Sequence, residues 1–416
     1  MKYIISIILS AFLVGHASAQ NYCCAASPSS YTGQFATRSY INDSNDQTNR
    51  QIMSRSTHFA RNAVSSLQIV VPNFGTTPDG NEVGQSDLLA TFPSATIKAS
   101  VEWPAGTCTQ IKFSGSATGN ITTGNPLLLS DSLNIGIPNG AEFWIRQYWV
   151  GSAGAVYANN GQVDLSLGDA MHIGASGISD QTASCDSVTN SGLGYMTPAA
   201  IVSNITLPAL CLLGDSIQYG SNGGVTALGD QGITAPSAGP YFGYINMGKA
   251  GDSAVSFVNN NTVRQMLYQY CSHDINNYGH NDIAGSQTAA QLETNTETIW
   301  AEFTANSLGG GVNIQETLTP FTTSTDGWAT TSNQTVTAFQ SQLAAFNTAI
   351  LTMALGAVNY FDDASVVGNG TNNSIWNAGV GYPACSPWTS DGIHPYTCAD
   401  GVIVTSGIIN LAQIHR

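Results

Sequence analysis

Three short segments carry residue types that together could cleave an ester. The first is Leu210-Cys211-Leu212-Leu213-Gly214-Asp215-Ser216, an apolar run closed by a glycine turn that presents a serine. The second is Gly279-His280-Asn281-Asp282, and the third Asp391-Gly392-Ile393-His394-Pro395. Acyl transfer by a serine needs a base for its proton, a group that orients the base, and donors for the developing oxyanion. Ser216 is the candidate nucleophile and His394 the candidate base. Asp391, three residues earlier, is close enough on one turn to accept the other imidazole N–H and fix the tautomer. Asn281 can offer a side-chain amide to the oxyanion, and the backbone N–H groups of Ser216 and Gly251 complete the candidate hole. Gly251 lies in Asn246-Met247-Gly248-Lys249-Ala250-Gly251-Asp252-Ser253, where Gly248 is the alternative donor.

Each of these residues also has a structural reading. Ser216 can cap a turn, Asn281 can cap the helix that follows it, and Gly251 can be a turn glycine. Taken together in one chain they favour chemistry over capping. Asp215 reads as a structural tie between loops. His58, His172, His273 and His280 have no convincing partners and read as structural. Phe143–Trp149 reads as core, whereas Trp388 beside the third segment is a candidate substrate contact.

Gly214-Asp215-Ser216, the glycine near 251, Gly279-x-Asn281-Asp282 and Asp391-x-x-His394 resemble the four ordered blocks of the SGNH (GDSL) hydrolase superfamily. The resemblance runs from Leu207 to the C-terminus. It implies a flavodoxin-like α/β/α sandwich of five parallel strands and a Ser216–His394–Asp391 triad. It also implies an oxyanion hole of Ser216, Gly251 and Asn281, without metal or cofactor. Gly251 is preferred over Gly248 because Ala-Gly-Asp-Ser is similar to the family's usual turn. Two departures stand out: a Gly-rich stretch, Ser221–Gly239, replaces the expected first helix, and Gln218 sits where Thr or Val is common. Neither is expected to touch the chemistry directly.

The elements that would position these residues follow from pattern. From residue 206 the chain alternates strand-like and helix-like segments, the signature of a parallel α/β sheet. Strands are predicted at Ala209–Leu213, Tyr241–Asn246, Tyr268–Asn276, Val312–Leu318 and Ala357–Phe361. Helices are predicted over Ala284–Asn306, Val336–Ala354 and Cys398–Ile414, with Ser221–Gly239 a loop over the site. Residues 20–205 instead show short apolar stretches between turn signals (Leu67–Val71, Ala95–Val101, Ile111–Phe113, Leu127–Leu129, Phe143–Val150, Val163–Leu167). That spacing predicts a β-rich sandwich or jelly roll, with residues 20–65 as an irregular arm.

Residues 1–19 read as a secretory signal peptide: Lys2, the apolar run Ile4–Val14, then Ala17-Ser18-Ala19. The apolar run is too short to span a bilayer, so a soluble exported protein is expected. The formal charge of −15, one unit more negative once Lys2 is removed, repels nucleic acid and anionic membranes. The eight cysteines (23, 24, 108, 185, 211, 271, 385 and 398) favour disulfides in an exported chain. A Cys385–Cys398 bridge would staple the loop carrying the base. Cys211 and Cys271 could equally be buried thiols.

The expected function is a secreted esterase acting on acetyl groups of a neutral polysaccharide such as xylan. A short-chain lipase or arylesterase, a polysaccharide O-acetyltransferase and a carbohydrate-binding surface protein are the alternatives. Oligomeric state is left open.

Overall fold

The computed structural model describes residues 30–414, except 42–43, 47–50, 77–81, 85–94, 123–124, 152–155, 159–162, 192–195, 354–358 and 379–384. The expected signal peptide and Cys23 and Cys24 lie outside the described residues.

The second half is built on a parallel sheet of six strands rather than five. In chain order they are β1 (Ser39–Tyr40), β2 (Ala209–Leu213), β3 (Gly243–Asn246), β4 (His273–Asn276), β5 (Val312–Glu316) and β6 (Asn359–Phe361). Their spatial order is β1-β3-β2-β4-β5-β6, and every pairing is parallel. The added strand, β1, comes from the region read as an irregular arm. Two residues are too few to show alternation, and they pair with β3 because that edge is otherwise open. Of the other strands, β2 has the expected bounds, β3, β4 and β5 are shorter than expected, and the first two residues expected in β6, 357–358, lie outside the described residues. Tyr268–Tyr270 is a 3₁₀ turn, not strand.

Helices cover both faces, as a parallel sheet requires. Along β2, Leu210 and Leu212 join one core with Ala399 and Ile403, while Cys211 and Leu213 join another with Leu292, Ile299 and Phe346. The helices used below are α1 (Ser216–Tyr219), α2 (Ala254–Asn260), α3 (His280–Ala284), α4 (Ala289–Asn306), α5 (Gln340–Leu351) and α6 (Thr397–Ser406). α4 begins at a capping box in which Thr288 and Gln291 exchange side-chain and backbone bonds. The helix expected over Cys398–Ile414 breaks at Gly407 (φ 69°) and resumes at Leu411.

Besides β1 and two short two-stranded pairs (Ser44–Asp46 with Val156–Ala158, Phe74–Thr76 with Glu82–Gly84), the described part of residues 30–205 forms two larger antiparallel sheets. One contains Tyr31–Gln34, Ala200–Ile205, Val64–Pro72, Leu127–Leu129 and Leu133–Ile137. The other is centred on Glu142–Gly151, paired on one side with Gln51–Phe59 and on the other with Ala95–Glu102. Ile69 and Ile201 of the first meet Ile97 and Ile145 of the second in a shared core. Val163–Leu167 is not a strand: Asp164 caps a 3₁₀ turn at Leu165–Leu167, which competes with extended structure.

The same core continues into the parallel-sheet half through Phe242 and Tyr244. Polar ties reinforce this contact. Arg38, fully buried in an ion pair with Asp169 (2.6 Å), also donates to the Gly229 carbonyl at 3.2 Å. Arg61 donates to the Gly239 carbonyl at 2.6 Å. The β-rich half therefore grips the Gly-rich stretch at two points.

Among the described residues three disulfides are present: Cys108–Cys185, Cys211–Cys271 and Cys385–Cys398. The second joins β2 to the residues just before β4 and resolves the choice between bridge and buried thiols.

Candidate active site

Ser216 is the first residue of α1, at the carboxyl end of β2, where open α/β sheets place their ligands. The turn into it is tight: a Cβ on Gly214 would lie 2.6 Å from Gln218 Cβ. Asp215 caps the helix, its Oδ1 accepting from the Ile217 N–H at 2.9 Å. Burial pushes the Asp215 carboxyl up to about 7, in keeping with its expected structural part. The helix stops after one turn because Gly220 adopts a left-handed conformation (φ 98°).

The third segment reaches Ser216 from 178 residues away. The Ser216 hydroxyl lies 2.7 Å from His394 Nε2. His394 Nδ1 lies 2.6 Å from Asp391 Oδ2. With its Nδ1 proton given to the carboxylate, the imidazole presents Nε2 as the acceptor of the serine proton. The other Asp391 oxygen, Oδ1, accepts from the N–H groups of Ile393 and His394, both at 2.9 Å. Partial burial works to raise Asp391. The His394 side chain and these two N–H groups outweigh it and hold the carboxyl well below the usual range. Asp391 thus stays ionised wherever the base works.

The loop bearing Asp391 and His394 is fixed from below. The Gly392 carbonyl accepts from the Thr322 N–H and from Trp376 Nε1, each at 3.0 Å. Gly392 itself has φ 84°, and Trp328 covers it closely. Cys385–Cys398 ties the loop to α6. Trp388 is 1 % exposed, so the substrate contact considered for it is ruled out by burial; it packs the underside of the loop.

The remaining candidates converge on one turn. Lys249 N–H donates to the Gly214 carbonyl at 3.0 Å, and Asp252 N–H closes a turn onto the Lys249 carbonyl at 3.1 Å. Gly251 occupies the third position with φ 84°, as a type II turn demands. Gly248 is buried instead, and a Cβ there would lie 2.7 Å from the Tyr219 nitrogen. Its need for glycine is therefore packing, and Gly251 is the exposed one. Asn281, on α3, donates from Nδ2 to the Asp252 carbonyl at 2.7 Å, which leaves its second amide hydrogen available. Among the described residues, no hydrogen bond from the N–H of Ser216 or Gly251 to another protein group is present.

Sequence reasoning missed what holds this turn. Asp252 Oδ2 accepts from Arg264 Nη1 and from the Tyr278 hydroxyl, both at 2.7 Å. Arg264 also pairs with Glu82 of the β-rich half at 3.3 Å. Asp282 accepts from the Ala254 and Val255 N–H groups at 2.8 and 3.0 Å, capping α2 rather than its own helix. His280 is buried, its Nε2 donating to the Thr319 carbonyl at 2.9 Å; burial lowers it to about 4, so it is neutral. His58 is likewise buried and lowered to about 3.

One expectation about the Gly-rich stretch is overturned. It does touch the site: Asn222 Nδ2 donates to Asp391 Oδ2 at 2.8 Å. A polar residue before Gly223-Gly224 was the only signal in the sequence.

Among the described residues, the candidate metal-binding group is Glu102 with Cys108 and Cys185. Those cysteines are bonded to each other, and Glu102 is engaged by Arg55 and Arg146 at 2.8 Å, so the group does not fit a metal.

A parallel α/β sheet bearing a Ser–His–Asp hydrogen-bond chain at its carboxyl edge defines the class to which this half is compared. No protein-family description matches the sequence, and no curated protein matches it either. Solved structures similar to it include GDSL-type lipolytic proteins and acylhydrolases, over about half of this chain. A putative acylhydrolase from Bacteroides fragilis is 20 % identical, with 50 % of this chain and 86 % of that one covered, at a TM-score of 0.35. A GDSL-like lipase from Bacteroides thetaiotaomicron is 18 % identical, with 50 % and 87 % covered, at 0.36. An acetylxylan esterase from Geobacillus stearothermophilus is 16 % identical, with 50 % and 94 % covered, at 0.34. No described helix is long and apolar enough to cross a membrane.

Proposed function

We propose that this chain is a serine-dependent carboxylic ester hydrolase of SGNH type. The observation that carries the reading is the unbroken chain Ser216 Oγ, His394 Nε2, His394 Nδ1, Asp391 Oδ2, with both links under 2.8 Å. His394 takes the Ser216 proton as Oγ attacks the ester carbonyl. Asp391 holds the ring and stabilises the imidazolium. The N–H groups of Ser216 and Gly251 and the Asn281 amide receive the oxyanion. His394 then protonates the leaving alcohol, and water hydrolyses the acyl-enzyme by the reverse use of the same base.

The finer substrate is an acetyl ester on a neutral polysaccharide. His394 and Asp391 are 17 % and 36 % exposed, so the site opens to bulk solvent. An open site suits a bulky alcohol half and admits the deacylating water, which favours hydrolysis over transfer to a second sugar. The acidic chain disfavours a polyanionic substrate. Export is part of the reading: three disulfides suit an oxidising compartment. In the domain division we propose, residues 1–19 are the signal, 20–205 the β-rich domain and 206–416 the catalytic domain.

The test is acetate release from acetylated xylan and from p-nitrophenyl acetate, by wild type and Ser216→Ala in parallel. Activity on both, lost in the variant, is expected. Activity on the small ester alone keeps the triad and rejects the polysaccharide. No serine-dependent activity on either rejects the esterase.

A further inference from the structure

We infer that Asn222, in the Gly-rich stretch after the nucleophile helix, is a positioning residue for the triad acid. The inference rests on the esterase reading above. Asp391 Oδ2 is the oxygen that accepts the His394 Nδ1 proton, and Asn222 Nδ2 donates to that same oxygen at 2.8 Å. The two oxygens of Asp391 are thus held differently. Oδ1 is fixed by backbone N–H groups of its own loop, whereas Oδ2 is held by the His394 imidazole and, from across the site, by Asn222. Asp391 is 36 % exposed, and water would otherwise compete for the lone pair beside the imidazole. A directed amide keeps the carboxylate plane aligned with the ring.

The backbone around Asn222 is arranged for this contact. Asn222 has φ 63°, a left-handed conformation that asparagine tolerates better than most residues. A bare turn-forming asparagine would explain that angle but not the aim of its amide. The next two residues are docked against α6, the helix that follows the triad loop. A Cβ on Gly223 would lie 2.6 Å from Asp400 Oδ2, and one on Gly224 would strike Thr397. The Gly-rich stretch and the triad loop thus share one support.

Other titratable groups around the triad are Asp215 beneath Ser216, with Asp252 and Asp282 behind it, His280 on α3, and Asp400 beneath the loop. The Asn222 amide bonds Asp391 and none of these groups. Removing the amide leaves Oδ2 a stronger acceptor for the imidazolium, so the acid limb of kcat/KM moves to higher pH.

The variants are Asn222→Gly, which keeps the left-handed backbone, and Asn222→Asp, which keeps the shape and replaces the donor with a carboxylate. On p-nitrophenyl acetate, Asn222→Gly is expected to lower kcat about tenfold, the usual scale for a hydrogen bond to a charged group, with KM unchanged. Its acid limb moves up, and Asn222→Asp moves it further. An unchanged limb and kcat, beside a dead Ser216→Ala, would overturn the inference and leave the esterase standing. Lower kcat with an unmoved limb would also overturn it, since the residue then only holds the loop. If wild type shows no Ser216-dependent activity, the esterase reading fails instead. The downfield proton resonance of His394 Nδ1 then decides independently: it shifts in Asn222→Gly, or the inference falls.

Discussion

Arg264 and Asp252 form an ion pair 2.7 Å long in which neither side chain is exposed. It lies directly behind the Gly251 turn, whose Asp252 carbonyl takes the Asn281 amide. The charge pair is satisfied on both sides, by Tyr278 on Asp252 and by Glu82 on Arg264. Such a pair is costly to break by halves, because the remaining charge is left buried.

Arg264→Met is therefore expected to lower stability by about 3–5 kcal/mol, seen as a lower midpoint in urea. Residual folded enzyme should also lose kcat, since the turn that offers Gly251 N–H loses its anchor. Wild-type kcat in the folded fraction would show that the turn holds itself.

Asn281→Ala should lower kcat on p-nitrophenyl acetate by about a hundredfold or more, with little change in KM, as expected for one oxyanion donor. Near-wild-type kcat would remove Asn281 from the hole and leave it as a support for the Asp252 carbonyl.

Opening Cys385–Cys398 tests the staple on the triad loop. The short closed loop corresponds to about 3 kcal/mol in the chain-entropy view. The double variant Cys385→Ser/Cys398→Ser should melt earlier and lose kcat more than it loses binding. Equal activity per folded molecule would mean that Thr322 and Trp376 suffice to hold Gly392.

Acid stability should report on Glu102. Burial acts to raise its carboxyl, but the Arg55 side chain, the Gly106 N–H and Arg146 outweigh it and hold it down at about 2. A depressed carboxyl contributes stability above its unfolded value near 4.5 and loses it as pH falls toward 2. Glu102→Gln should therefore be destabilised at pH 7, with the gap from wild type closing between about pH 4.5 and 2. Urea midpoints across that range measure it. A constant gap would assign the loss to packing.

Much of the site was legible because its chemistry is local in sequence. Asp391 and His394 share one turn, Ser216 ends an apolar run, and Gly251 precedes a polar turn. The strands of the parallel sheet were legible for the same reason: each is a short apolar run with its own stop signal. What could not be read depends on long-range partners. Ser39–Tyr40 is a strand only because β3 lies beside it. Arg264 and Tyr278 look unremarkable until folding places Asp252 between them. Trp388 looked available because nothing in its neighbours announces burial. Asn222 looked like loop filler because its target is 169 residues away.

The sheet's outer rim is synthesised long before its middle. Ser39 and Tyr40 leave the ribosome some two hundred residues ahead of β3, to which they pair in parallel. The parallel-sheet half thus cannot finish its edge as it emerges; it must recruit a strand from chain already made. Folding dominated by such distant pairings is slow and exposes unpaired strand edges meanwhile. A fragment beginning at Leu207 would carry the triad yet present β3 as a bare edge, open to pairing with its own copies. Full-length chain should refold to a monodisperse species under conditions where that fragment aggregates.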